Sequence, residues 1–176
     1  YNVGKNAKLS SHQSNGAKYE NDLDDKSDEE YLSFLYEITR NGLSHCDFFF
    51  LNVQSLANNK LTLIDYLYAL KEFYADTIIW DKLNAQPAMA ENVLNSRFEY
   101  IHCFSHKANR ALGTKTFRGT LANVISIESH QDKDFADVHS ATFPIQFAGY
   151  FISNFCNPSE NVYEPFSGSA TTLITC

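Results

Sequence analysis

The sequence has few of the residues that would narrow its class quickly. Its four cysteines, Cys46, Cys103, Cys156 and Cys176, form no C-x-x-C pair, and no histidine stands at metal-ligand spacing from them. That pattern argues against a structural metal site and fits reduced cysteines, three of them in apolar runs. No apolar run approaches the ~18 residues of a membrane-spanning helix. The opening residues, "YNVGKNAKLS", contain no apolar segment and no leader-peptide pattern. There is no internal repeat, no linker that would mark a second domain, no Gly-Lys-Ser/Thr phosphate loop and no G-x-G-x-x-G dinucleotide loop. The chain does not start with Met, and it stops inside the apolar run "TTLITC". It therefore reads as a piece of a longer chain, cut at both ends.

What is present describes one globular domain over residues 1–176. The apolar fraction is 44% and the aromatic fraction 14%, enough to build a core. The net charge of -7 excludes a uniformly basic nucleic-acid binder. The charge is nevertheless uneven. "ENDLDDKSDEE" is strongly acidic, whereas "HKANRALGTKTFR" carries Lys107, Arg110, Lys115 and Arg118 with no acid among them.

Residues 1–27 read as a polar loop. Ser27 followed by Glu30 forms a capping box that opens a helix, with Tyr31, Phe34, Leu35 and Ile38 on one face and Asn41-Gly42 at its end. "CDFFFLNV" is a continuous apolar run and reads as a buried strand. "LTLIDYLYALKEFY" returns to helical spacing. "DTIIWDK", "FEYIHCFSH" and "ANVISIES" read as further strands, with Trp80 and Phe48 to Phe50 in the core. "PIQFAGYFISNFC" spaces Ile145, Ala148, Phe151, Ile152 and Phe155 as a helix face behind Pro144, and Asn157-Pro158 closes it. "NVYEPF" reads as a last strand. Strands alternating with helices predict an α/β, doubly wound, mostly parallel sheet.

Chemistry points to "VYEPFSGSATT". Ligands of α/β sheets bind beyond the carboxyl ends of strands, and a glycine there lets a ligand approach the backbone. On spacing alone, an ordinary turn and a ligand loop stand level.

The loop resembles the cofactor motif D-P-F-x-G-x-G-T of amino-group DNA methyltransferases. "HSATFPIQFAGYFI" resembles the segment that precedes that motif in the family. "YNVGKN" looks like the continuation of the catalytic motif D-P-P-Y, with Tyr1 as its last letter, and the intervening strands follow the family's order. The resemblance spans the chain, and its motif order is the permuted β-type, catalytic motif first and cofactor motif last. It implies an incomplete class I methyltransferase (Rossmann-like) sheet and a methyl transfer from S-adenosylmethionine to an exocyclic amine of duplex DNA, adenine first. A cytosine amine, RNA or a protein amide as acceptor, or an inactive DNA-binding relative, are the alternatives. The target base would be flipped out of the stack, at a cost of roughly a few kcal/mol.

By the same resemblance Tyr1 stacks on that base. Asn2, Phe143, Pro144, Glu164, Pro165, Phe166, Gly168 and Thr171 contact the cofactor. Lys107, Arg110, Lys115 and Arg118 contact DNA within a short target-recognition region, residues 105–136. The family also implies a cytoplasmic enzyme of a bacterial or phage modification system, with no metal. Two positions depart from the pattern. Glu164 stands where Asp is usual, and Ala170 replaces a glycine, which requires negative φ at that position.

Overall fold

A computed structural model describes residues 26–85, 87–88, 91–106, 108–129, 143–168 and 170–176. Helix α1, Asp28–His45, starts at the expected capping box. Ser27 N–H donates to Glu30 Oε2 at 2.8 Å, and Glu30 N–H donates to Ser27 Oγ at 3.2 Å. Asp28, Glu29 and Glu30 in the first turn and His45 in the last complement the helix dipole. The helix buries Tyr31, Leu35, Thr39 and Leu43, one residue per turn, whereas Phe34 turns partly to solvent.

Strand β1, Phe48–Val53, follows, then helix α2, Lys60–Ala69. The expected second helix runs too long. It ends at Ala69 because Tyr74 already belongs to strand β2, Tyr74–Asp81, where it pairs with Phe104. Strands β3, Phe98–Ser105, and β4, Val124–Ser126, complete a four-stranded sheet in the order β1-β3-β2-β4. β3 is antiparallel to both β1 and β2, and β4 is parallel to β2. Three strands therefore point one way, with β3 reversed between two of them. The sheet is mixed, where mostly parallel pairing was expected. Apolar runs reveal strands but not their direction, and β2 and β3 are joined as a hairpin through a long loop.

The two faces of the sheet are covered separately. On one, α1 and α2 close over Phe49, Leu51, Val53 and Phe104 with Leu35, Leu63, Tyr66 and Leu70. Thr39 Oγ1 and the Tyr66 hydroxyl, both buried, hydrogen-bond at 2.6 Å and tie the two helices together. On the other face, helix α3, Ile145–Phe155, lies over Ile78, Trp80, Ile101, Cys103 and Ile125. Phe147 packs on Trp80 at 4.4 Å, and Phe155 on Phe50 at 5.1 Å. The first turn of α3 thus sits at the carboxyl end of β2, and the helix runs back toward the amino ends. Its buried residues are Phe147, Ala148 and Phe155. Ile145, expected on that face, is 39% exposed because the contact with Trp80 rotates Phe147 inward. Trp80 is core as expected, and its Nε1 donates to the Ile127 carbonyl at 2.7 Å.

The segment 161–166 forms no strand, contrary to the sequence reading. Its path is still ordered. The Tyr163 ring stacks on His45 at 5.2 Å, its hydroxyl accepts from Asn41 Nδ2 at 3.2 Å, and Phe166 meets Phe34 at 5.9 Å. The segment therefore travels back along α1, in the same direction as β1. A cavity of about 530 Å³ lies between it and the outer edge of β1. A ladder needs a partner backbone about 4.8 Å away, and both segments instead line the cavity. Helix α4, Thr171–Thr175, then packs against α3.

Candidate cofactor cavity beside the first strand

The cavity is lined by some of the expected residues, whereas Pro144, Gly168 and Thr171 lie outside its lining. Phe143, Glu164, Pro165 and Phe166 line it, together with β1 and the inner face of α3. Pro144 is the extended N-cap residue of α3 and is buried. Its fixed φ sets the turn that delivers Phe143 to the wall. Gly168 takes φ +44°, in the left-handed region that glycine tolerates. Thr171 is buried below the loop, and the neighbouring Thr172 reaches the cavity.

Two expectations about the loop change. Ala170 has φ 59° and ψ 25°, so it is left-handed where negative φ was expected. The tight return into α4 imposes that conformation, with Ile174 N–H bonding back to the Ala170 carbonyl at 2.9 Å. Glu164 turns onto its own loop. Its Oε1 accepts the Phe166 N–H at 2.8 Å, and its Oε2 accepts the Thr172 hydroxyl at 3.0 Å.

The walls are mostly apolar. Phe48, Phe50, Phe147 and Phe151 contribute rings. Burial raises the Cys46 and Cys156 thiols above their ordinary range, helped by the neighbouring Asp47 and Glu160 carboxylates, so both stay neutral. All four cysteines are free thiols. Among the described residues no group of three His, Cys, Asp or Glu side chains is arranged to hold a metal ion. No helix among them is long and apolar enough to cross a membrane.

A polar cluster at the carboxyl ends of the strands was not legible in the sequence. Arg97 grips Asp81 through two bonds, Nε to Oδ1 at 2.6 Å and Nη2 to Oδ2 at 2.8 Å, and this pulls the Asp81 carboxyl below its usual range. Lys82 Nζ meets Glu99 Oε1 at 3.1 Å, with both side chains nearly buried. These pairs close the base of the loop between β2 and β3. The signal that finds them is register: Asp81 faces Phe98 and Trp80 faces Glu99, so charges flanking the two runs must meet.

The basic residues are scattered. Arg110 bonds Asp76 Oδ2 at 2.9 Å, at the amino end of β2 and away from that cluster. Lys115 Nζ donates to the Ser153 carbonyl at 2.7 Å in the last turn of α3. Arg118 is exposed. Tyr1, Asn2, Lys107 and His139 lie outside the described residues.

A sheet with an aromatic cavity beside a small-residue loop is shared by many enzymes, and sequence comparison narrows it. The sequence model of the DNA methylase family matches residues 1–176. The chain belongs to the DNA methylase family. It is 26% identical over 117 residues to the type II methyltransferase M.Cfr9I of Citrobacter freundii, covering 62% of this chain and 39% of that protein. It is 28% identical over 104 residues to the type II methyltransferase M.XycI of Xanthomonas campestris pv. cyanopsidis, covering 56% and 35%. Those matches span little more than a third of each relative's length. Among solved structures, the cytosine-N4-specific PvuII DNA methyltransferase superposes with a TM-score of 0.68 at 16% identity, over 93% of this chain and 68% of that one. The M1.HpyAVI–SAM complex superposes with a TM-score of 0.54 at 18% identity, over 82% and 69%. These likenesses give this DNA methylase family member the α/β fold of class I methyltransferases, as the motif order implied.

Proposed function

We propose that the protein is an S-adenosylmethionine-dependent DNA methyltransferase that methylates the exocyclic amine of adenine in duplex DNA. The observation that carries the proposal is the cavity walled by Phe143 and Glu164 to Phe166, in a chain matched along its whole length by one DNA methylase family model. The residues fit such a cofactor. The rings of Phe143 and Phe166 offer apolar faces for an adenine moiety, and the walls carry few polar groups to fix its orientation. The cofactor, when bound, would supply an electrophilic methyl group on a sulfonium: as the amine nitrogen bonds that carbon in line, the carbon–sulfur bond would break to leave a neutral thioether, and the nitrogen would give up one proton.

The chain's own part is placement and exclusion of water. A cofactor seated against the buried face of α3 and the edge of β1 would displace water from these apolar walls, which strengthens electrostatic contacts made there. Asn2, Pro144, Gly168 and Thr171 belong to the same reading as cofactor contacts. Tyr1 would stack on the extruded base. Lys107, Arg110, Lys115 and Arg118 would meet phosphates, giving affinity without base choice. For Arg110 and Lys115 that means exchanging their partners Asp76 and Ser153 for phosphate.

Calorimetry with S-adenosylmethionine on the protein with its flanking segments restored, followed by transfer of a labelled methyl group to unmethylated DNA, tests the reading. Binding and N6-methyladenine in the digested product are expected. N4-methylcytosine would move the acceptor to the cytosine amine and keep the rest. Absence of both binding and transfer would overturn it.

A further inference from the structure

Glu164 bonds both sides of the loop it begins. One carboxylate oxygen takes the Phe166 N–H at 2.8 Å and the other takes the Thr172 hydroxyl at 3.0 Å. The backbone between these partners carries one strained residue, because Ala170 sits at φ 59° while Gly168, at 44°, tolerates that region. A carboxylate that joins the two ends of such a turn offsets that cost. Bonds to an ionised acceptor are roughly twice as strong as neutral ones. Thr172 and Glu164 also both face the cavity, so the loop they fasten is the cavity wall.

We infer that Glu164 and Thr172 form a clasp that sets the shape of the cavity loop, which makes Thr172 a positioning residue for ligand binding. The inference rests on the cofactor reading above and adds a residue to it. It also gives the length of Glu164 a purpose. An Asp there is one methylene shorter, which draws its carboxylate back from the Thr172 hydroxyl eight residues on.

The test uses Thr172→Val, Thr172→Ser, Glu164→Ala and the double variant Glu164→Ala/Thr172→Val, each with two measurements. In ligand-free protein, amide hydrogen exchange at Phe166 reports the clasp directly. Exchange about ten-fold faster in Thr172→Val, and near wild type in Thr172→Ser, is expected. In calorimetry with S-adenosylmethionine, Thr172→Val weakens Kd about ten-fold, Thr172→Ser restores it, and the double variant binds no more weakly than Glu164→Ala alone. Unchanged Phe166 exchange and affinity in Thr172→Val would overturn the clasp, as would effects of the two residues that simply multiply. Wild-type protein that binds no S-adenosylmethionine, while Phe166 exchange still responds to Thr172→Val, would overturn the cofactor reading and uphold the clasp as a feature of the loop.

Discussion

Ala170, at φ 59°, holds a backbone conformation that costs an L-residue roughly 1–2 kcal/mol. Replacing it with glycine removes that cost and adds some unfolded-chain entropy. Ala170→Gly is therefore expected to stabilise the protein by about 0.5–1 kcal/mol. Urea denaturation reads the difference, and a lower midpoint would show that the alanine methyl contributes packing greater than the strain. The sequence marks this residue as unusual but cannot assign its φ, because the sign depends on how the turn closes onto α4. Thr172 was missed for a related reason. A threonine doublet after a loop looks alike in both positions, and only the turn decides that Thr171 is buried while Thr172 reaches Glu164.

At the scale of elements, Gly42 lets α1 lie close against β1. A Cβ built at Gly42 would stand 2.3 Å from Cδ2 of Phe49, whose ring fills the space against the helix. Gly42→Ala gains up to about 1 kcal/mol of helix propensity but forces that ring out of a packed face at about 1–3 kcal/mol. A net loss of roughly 1–2 kcal/mol is expected from those two figures, seen as a lower urea midpoint with an unchanged slope. An unchanged or higher midpoint would mean that Phe49 relaxes freely.

The elements themselves were largely legible. Period 3.6 in "DEEYLSFLYEITRNGL" and the bounded apolar runs of β1, β2 and β3 mark their own positions. What failed depends on partners. The end of α2 was lost because "KEFY" continues a helical spacing until Tyr74 finds Phe104. "NVYEPF" has a strand's composition, yet a cavity stands where its ladder would be. The charged pairs Asp81–Arg97 and Lys82–Glu99 follow from hairpin register, which composition does not contain.

At the scale of the whole molecule, His102 is a buried group poorly compatible with acid. It is 4% exposed, stacked on Tyr100 at 5.3 Å, near Tyr74 at 6.0 Å, and hydrogen-bonded to Thr77 Oγ1 at 3.5 Å. Burial pushes its imidazole pKa down to about 4. The unfolded chain then binds a proton near pH 6.5 that the folded chain refuses until about pH 4. Stability is therefore full above about pH 6.5 and falls as pH drops toward 4. The loss between pH 7 and pH 5 is on the order of 2 kcal/mol. Urea unfolding at the two pH values measures it, and His102→Gln is expected to flatten the difference. Equal slopes for the two proteins would show that His102 titrates normally.

The reversed strand in the middle of the sheet also has a consequence in time. Phe48 pairs with Ser105 and Val53 with Tyr100, so β1 leaves the ribosome well before its neighbour has been made. At 5–20 residues per second, that interval is roughly 3 to 10 seconds. β2 and β3 are consecutive and can zip together as soon as both exist. Through that wait "FFFLNV" has α1, already synthesised and capped, and then α2 to lie against, and the Gly42–Phe49 contact is a tight point of that early shelter.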